Sequence, residues 1–351
     1  MTETRQGPPG GQGQDDFGQA DLSYKSGFAP IRLLLSNEFG LLVLIVLFAV
    51  IFSTVSPAFL SKFSLYALGR TAAVNIMIGF SMMIVIITGG LNLSVGAVGV
   101  AAAMFGGMLM EVLGLPWPLA VAGGLAMGAA LGALNGVIIV RSGLHSFIIT
   151  LATMSIFFGV MIFLTQAESF RGISPAFAGF GRMKLLSIVS PLLLVTVFVG
   201  VLLSALFRFT VTGREMLATG ANERAAELSG IRVNRMITYC HMLSGVLAGV
   251  AGLMLVSRTG AAIPSMAGQL GQDWLLPAFL GPVLGGTLLT GGRVSVLGTF
   301  LGSFLVTMLT TGLLLMQVGA FWVQTYLGLL LLFAVLVDVV RRSYLQRRKL
   351  I

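Results

Sequence analysis

Long apolar segments separated by short polar stretches fill the sequence from about residue 38 to residue 340. We interpret these segments as membrane-spanning helices, because a helix of about 20 apolar residues crosses a hydrocarbon core of about 30 Å. The pattern therefore predicts an all-α polytopic membrane protein. The ten predicted spans are 38–58, 70–88, 94–112, 117–140, 146–166, 187–207, 236–256, 274–290, 294–316 and 321–340.

The longest charged interruption between apolar segments is the insert 208–235, which reads RFTVTGREMLATGANERAAELSGIRVNR. The segments on either side are both long enough to span a bilayer, so we expect the insert to lie in water. Within it, Asn222 can cap a short helix, ERAAELSG, that stops at Gly230. We interpret this short helix, held between two spans, as a docking surface for a partner.

The distribution of basic residues predicts the topology. With the N-terminal tail placed inside, fifteen Lys and Arg residues fall on the inner side of the predicted spans and six on the outer side. Such an excess marks the cytoplasmic side, so both termini are predicted to be cytoplasmic. The net charge of +9 then follows from topology, and no nucleic-acid partner is expected. The insert alone supplies Arg208, Arg214, Arg224, Arg232 and Arg235.

Three regions follow from this pattern. Residues 1–30 are rich in Gly, Gln and Pro without apolar periodicity, which predicts a disordered cytoplasmic tail. This tail lacks the apolar core and cleavage site of a secretory signal. Residues 31–341 form the predicted transmembrane domain, and residues 342–351 form a basic cytoplasmic C-terminus.

The composition indicates that little of the chain lies outside the bilayer. Only 9% of the residues are charged and 56% are hydrophobic, whereas a soluble domain carries about 25% charged residues. Gly and Ala recur at helical spacing in 120–136 and 243–256. In lipid, such small residues let helices pack closely, which also allows helix bundles to rock against each other.

Two glycine-rich pieces resemble each other. TGGLNLSVG covers Thr88–Gly96 and TGGRVSVLG covers Thr290–Gly298. Transporters often carry internal repeats with discontinuous helices, so the pair suggests an internal repeat of the two halves. The glycine-rich runs Gly89–Gly96 and Gly285–Gly298 further predict re-entrant or half-helical pieces.

Several kinds of chemistry are missing. The chain has no G-x-x-x-x-G-K-[ST] motif for nucleotide phosphates. No Asp or Glu falls in the middle of a predicted span, which argues against an ion-coupled carrier. Cys240, His145 and His241 do not have the spacing of a metal cluster, and no nucleophile–base pair is evident. We therefore expect no enzymatic activity and no cofactor.

Uncharged polar residues remain inside the predicted spans. Their amide and hydroxyl groups suit a neutral, hydrogen-bonding solute such as a sugar. Alternatively, each bonds a neighbouring helix, which contributes about 0.6 kcal/mol on average. Asn135, Gln166, Gln317 and Gln324 belong to this set, and the candidates for a substrate path are Asn75, Ser81, Thr88, Asn92, Ser94, Thr153 and Ser155.

Four segments carry a resemblance to a known family. They are ITGGLNLSVGAVGV (87–100), LATMSIFFGVMIFLT (151–165), GREMLATGANERAAELSGIRVNRM (213–236) and LGGTLLTGGRVSVLGTFLG (284–302). Together they resemble, in the same order, the ribose-type permease subunits of bacterial ABC sugar importers. The resemblance covers about residues 65–340.

This resemblance implies a permease of about ten spans in the bacterial inner membrane. It also implies three partners: a second permease, either another copy or a paralogue, a cytoplasmic ABC ATPase subunit, and an extracytoplasmic sugar-binding protein. The solute would be a small neutral sugar. The family's ATPase-coupling segment maps onto Gly213, Arg214, Gly220, Asn222, Ala225, Ala226, Ser229 and Gly230, to which we add Glu223 and Glu227 within the same helix.

The chain also departs from the family pattern. Gly220-Ala221-Asn222 replaces a common Gly-Gly-Asn, Asn92 stands where Asp is frequent, and Gly271-Gln272-Asp273 replaces Gly-Tyr-Glu. These changes affect the prediction of which sugar is carried more than the prediction of the transporter class. The alternatives are an ion-coupled transporter of a small neutral solute, an export permease and a membrane-embedded enzyme.

Overall fold

The computed structural model describes residues 37–319, 322–332 and 336. Within these ranges the chain is built from helices, with isolated bridges as the only extended pairing. A 3₁₀ segment covers Gln269–Trp274. The α-helices are α1 (Asn37–Val55), α2 (Lys62–Ile86), α3 (Val95–Glu111), α4 (Trp117–Ser142), α5 (Ser146–Thr165), α6 (Pro175–Arg182), α7 (Pro191–Phe209), α8 (Val211–Ala221), α9 (Glu223–Leu228), α10 (Val233–Thr259), α11 (Leu275–Leu284), α12 (Val296–Leu315) and α13 (Trp322–Leu332).

The fold is that of an all-α polytopic membrane protein. Seven of the described helices are long and apolar enough to cross a membrane, namely α1, α2, α4, α5, α7, α10 and α12. Each overlaps a predicted span. Helix α3 is shorter, with 17 residues, so ten complete spans and the cytoplasmic location of the termini stay predictions.

The structure adds detail to three of the predicted segments. The insert 208–235 contains an additional helix, α8, whose start is capped by Thr210 Oγ1 accepting from Gly213 N. The segment 166–186 follows the fifth predicted span and lies on the outer side of the predicted topology. It contains the short helix α6, which begins with a proline at its first position. The predicted span 274–290 is helical only over α11, because Gly285 and Gly286 end it. Its 10 residues extend only about 15 Å, which confirms a half-helical piece there.

Helices α2 and α10 form the centre of the molecule. In α2 the run from Ile76 to Ile86 is almost fully buried, whereas most residues of α1, α5 and α7 are not buried. An apolar surface of this kind is expected where helices face lipid or another membrane subunit. Helix α3 is also buried along most of its length, so the burial gradient separates α2, α3 and α10 from a peripheral set.

The close packing predicted from small residues is confirmed between α4 and α10. A Cβ built on Gly128 would lie 2.5 Å from the Gly245 carbonyl oxygen, and one on Gly245 would overlap Gly128 in return. One on Gly132 would overlap the His241 carbonyl oxygen. The two backbones are in direct contact, so these positions admit no side chain.

Some predictions fall outside the described residues. They are the disordered tail 1–30, the basic C-terminus 342–351 and most of the final span beyond residue 332.

Candidate functional site

The break between α2 and α3 is an ordered segment, 87–94, held by neighbouring helices. Ser146 Oγ at the start of α5 accepts from Leu91 N at 2.8 Å, and Thr150 Oγ1 accepts from Leu93 N at 3.1 Å. These side chains replace the backbone partners that an uninterrupted helix would provide. The chain can therefore leave the helical conformation inside the bundle.

Several candidate path residues form one buried hydrogen-bond network. Asn92 Nδ2 donates to Ser244 Oγ at 3.0 Å, and Ser81 Oγ donates to the Ser244 carbonyl oxygen at 2.8 Å. Ser94 Oγ donates to Asn92 Oδ1 at 2.7 Å and accepts from Asn135 Nδ2 at 2.8 Å. All five side chains are fully buried, so they tie α2, α4 and α10 to the segment 87–94.

The other candidates are not part of this network. Asn75 Nδ2 donates to Thr307 Oγ1 on α12 at 3.0 Å, and Thr88 Oγ1 donates to the Val85 carbonyl oxygen at 3.0 Å. Thr153 is buried within α5, whereas Ser155 lies on the exposed face of the same helix. The remaining uncharged polar residues Gln166, Gln317 and Gln324 are exposed.

The predicted capped helix is confirmed as α9. Asn222 Oδ1 accepts from Ala225 N at 3.0 Å, which satisfies a free donor of the first turn. The helix ends at Leu228, and Gly230 adopts a left-handed φ of +84°. The end lies two residues earlier than the predicted ERAAELSG segment because the turn to Gly230 is not helical.

The predicted coupling residues divide into packed and exposed positions. Gly213 and Ala226 are buried and Gly220 is half-buried. The other seven are exposed, namely Arg214, Asn222, Glu223, Ala225, Glu227, Ser229 and Gly230. Sequence reasoning missed Leu228, which is 88% exposed at the end of α9. Its signal was a single large apolar residue at the end of an otherwise polar short helix.

The two glycine-rich pieces meet each other beside α8, in a contact that we call the glycine junction (Ile87, Gly89, Gly220, Gly291 and Gly292). Gly292 N donates to the Ile87 carbonyl oxygen at 2.8 Å. A Cβ on Gly220 would overlap that same oxygen and lie 2.6 Å from Gly292 N. One on Gly291 would lie 2.8 Å from Gly89 N. The insert is thus in direct backbone contact with both pieces.

A group of basic residues surrounds the start of α2, and we call it the basic cluster (Arg70, Arg182, Lys184 and Arg258). Tyr66 OH donates to the Arg182 carbonyl oxygen at 2.8 Å, while Arg70 and Lys184 each lie 5.2 Å from the Tyr66 ring. Arg258 donates to Thr71 Oγ1 at 3.1 Å. Among the described residues no carboxylate lies within ion-pair distance of the cluster.

Helix α2 connects the two ends of the molecule. From Arg70 to Ile87 it advances about 25 Å at 1.5 Å per residue. The basic cluster and the glycine junction therefore lie at opposite ends of one buried helix, a distance close to the thickness of a hydrocarbon core.

Over residues 37–319 and 322–332 the helices are joined by short segments, and this arrangement defines a polytopic membrane protein. Over residues 63–340 the sequence matches the family described as branched-chain amino acid transport system / permease component. The chain belongs to this family, as a ribose-type sugar ABC permease.

The similar proteins are sugar permeases. The ribose import permease protein RbsC of Bacillus subtilis (strain 168) is 37% identical over 301 residues, which cover 85% of this chain and 90% of the relative. RbsC of Escherichia coli (strain K12) is 34% identical over 312 residues, with 87% and 94% covered. The D-allose transport system permease protein AlsC of the same strain is 31% identical, with 86% and 91% covered. No solved structure matches the chain.

Proposed function

We propose that this chain is the membrane-spanning subunit of an ATP-binding-cassette importer in the bacterial inner membrane. It passes a monosaccharide from an extracytoplasmic binding protein to the cytoplasm, driven by a separate ATPase subunit. The relatives named for ribose and D-allose support the class of solute. The observation that carries the proposal is the glycine junction, which puts the insert in direct contact with the interrupted helices.

The ATPase docks on the exposed surface of α8 and α9. Arg214 and Glu227 offer charges of opposite sign, and both are exposed. Leu228 adds an apolar side chain that has almost no contact within the chain, a kind of residue that a partner buries. A displacement of α9 is transmitted by α8 to the glycine junction, because Gly220 of α8 belongs to that junction.

Co-purification tests this docking. The tagged chain in mild detergent is expected to retain the ATP-binding subunit, and Arg214→Ala, Glu227→Ala and Leu228→Ser are expected to lose it without losing thermal stability, because these side chains are exposed. Leu186→Ser is the matched control, since Leu186 is 90% exposed but lies outside the insert. Recovery of a stable chain alone that transports without ATP would refute the importer and favour an ion-coupled carrier.

The binding protein docks at the other end of α2. The segments 166–186 and 257–273, which follow the fifth and seventh predicted spans on the predicted outer side, contribute Arg182, Lys184 and Arg258 to the basic cluster. Arg182 and Lys184 are exposed, whereas Arg70 and Arg258 are half-buried. The cluster therefore presents an uncompensated positive surface that an acidic partner complements. We infer that the docking lobe of the binding protein presents acidic residues here.

Charge reversal tests the docking surface. Lys184→Glu is expected to weaken binding of the loaded binding protein to the reconstituted importer by about ten-fold, because attraction becomes repulsion. Lys184→Arg keeps the charge and is expected to bind like the unmodified chain. Binding by the unmodified chain should also weaken as the salt concentration rises. An affinity that changes neither with the charge at residue 184 nor with salt would refute the acidic partner.

The solute path lies between two permeases rather than inside one. Ser81, Asn92 and Ser94 use their polar groups within the chain, whereas Ser155 on α5 is exposed and open to a partner subunit. The exposed face of α5 also carries Ala152 and Gly159, small residues that permit a close approach. The second permease is another copy or a paralogue.

A further inference from the structure

A cavity of about 490 Å³ opens beside the insert, and the path described above does not use it. Its walls come from the segment 87–94, the end of α4, the start of α5, α9 and α10. Ligand cavities for small molecules measure about 300–1,000 Å³, so this one is large enough for a monosaccharide. Its polar lining residues are Thr88, His145, Ser146, Glu223, Asn234 and His241.

One polar group of the lining lacks a partner. His241 is 1% exposed, and its Nδ1 has no hydrogen-bond partner among the described residues. A buried polar atom left unpaired is unfavourable, so such atoms are normally paired. A lining residue thus carries an unsatisfied polar group, which favours a polar over an apolar occupant.

The rest of the lining indicates a neutral ligand. Asn234 and Glu223 are exposed at the rim, and Glu223 is the only Asp, Glu, Lys or Arg residue of the lining. Amide, hydroxyl and imidazole groups with one carboxylate can bond a polyhydroxylated molecule on several sides. A single carboxylate against neutral partners does not select a multivalent cation or an anion.

One wall of the cavity belongs to the segment that the insert holds. Thr88 and Gly89 line the cavity, and the preceding residue, Ile87, accepts from Gly292 N and contacts Gly220. Any displacement of α8 at the glycine junction therefore displaces this wall. The volume and the hydrogen-bonding geometry of the cavity change with the state of the insert.

We propose that this cavity is a release-side binding site for the imported monosaccharide, and that its occupancy slows further import. The inference rests on the proposed importer function. An occupied cavity resists the movement of the segment 87–94, because the bound sugar bridges it to α10. Accumulated product thus opposes the movement that the ATPase drives through the insert.

Binding is measured on the purified chain in detergent, without ATPase or binding protein. The probes are D-ribose, D-allose and D-xylose at millimolar concentration, followed by saturation-transfer NMR. We expect at least one of them to bind, and Asn234→Leu to weaken that binding about ten-fold, the effect of about 1.4 kcal/mol. His241→Phe is expected to weaken it similarly. Tyr239→Phe, on the same helix but outside the cavity, is the matched control and should bind unchanged.

The second readout is import into vesicles preloaded with the same sugar on the cytoplasmic side. Preloading should slow import by the unmodified importer, and Asn234→Leu should relieve this inhibition. Import that proceeds while the isolated chain binds none of the three sugars would overturn the release site and leave the proposed function intact. Binding that is unaffected by both cavity variants would overturn it as well. A complete absence of ATP-driven import would instead refute the proposed function.

Discussion

At the residue scale, the polar side chains inside the bundle have two different environments. The side chain of Asn92 is fully buried and bonds Ser244 on α10 and Ser94 in its own segment. Ser155 faces away from the bundle. Residue type alone does not distinguish the two, because an amide or hydroxyl group in a span suits both helix pairing and solute binding. Only the packing of α10 against α2 assigns Ser81 and Asn92 to the interior.

Replacing Asn92 should therefore affect stability first. Asn92→Ala removes the acceptor of Ser94 and the donor to Ser244, so the free energy of unfolding in detergent should fall by about 1–2 kcal/mol. Ser155→Ala should leave it unchanged, because that side chain is exposed. Thermal unfolding of both variants checks this, and an Asn92→Ala protein that unfolds normally but imports poorly would place Asn92 in the path.

At the scale of elements, the insert is a pair of capped helices seated on two interrupted spans. Thr210 and Asn222 each cap one helix, and glycine at 220 lets the first helix touch the Ile87 carbonyl group. A rigid connection of this kind transmits a displacement, whereas a flexible loop would absorb it. The insert is thus joined to the interrupted helices by backbone contact at Gly220 as well as by the buried side chain of Met216.

A methyl group at Gly220 should disturb this connection. The Cβ of Gly220→Ala would overlap the Ile87 carbonyl oxygen, and overpacking of this kind costs about 1–3 kcal/mol. ATP-driven uptake per folded molecule should fall together with thermal stability. Gly40→Ala in α1 adds the same methyl group where no atom lies within 4 Å, so it should be neutral. Equal behaviour of the two variants would contradict the glycine junction.

The sequence allowed the spans to be predicted but not their contacts. Apolar length located every one of the seven long helices, and Asn222 and Gly230 located α9. Helix α8 was missed because Gly213 and Gly220 lower the helix propensity of a segment whose glycines are required by close contacts. The meeting of Gly89 with Gly291 depends on tertiary packing across about 200 residues, which no local pattern encodes.

At the scale of the whole molecule, one buried helix separates two chemically different ends. The basic cluster lies near the start of α2 and the glycine junction at its end. The basic cluster is complementary to an acidic protein surface, and the glycine junction contacts the insert. An importer needs such a division, because the solute arrives on one side and the driving force acts on the other.

Cysteine labelling tests whether these ends face opposite sides of the membrane. In a Cys240→Ala background, Leu186→Cys should react with a membrane-impermeant thiol reagent in intact cells, since it lies in a predicted outer loop and is 90% exposed. Leu228→Cys, which is 88% exposed, should react only in inverted vesicles. Labelling of both cysteines from the same side would disprove the predicted topology.

The buried network around Asn92 can form only late in the synthesis of the chain. Ser81 and Asn92 find their partner in Ser244, which follows them by 163 and 152 residues. A ribosome makes the chain from its N-terminus, so α2 and the segment 87–94 are synthesised long before α10 exists. Until then these amide and hydroxyl groups need temporary partners, such as water, the insertion machinery or a chaperone. A nascent chain that stops before residue 244 should therefore be a preferred substrate for membrane proteases.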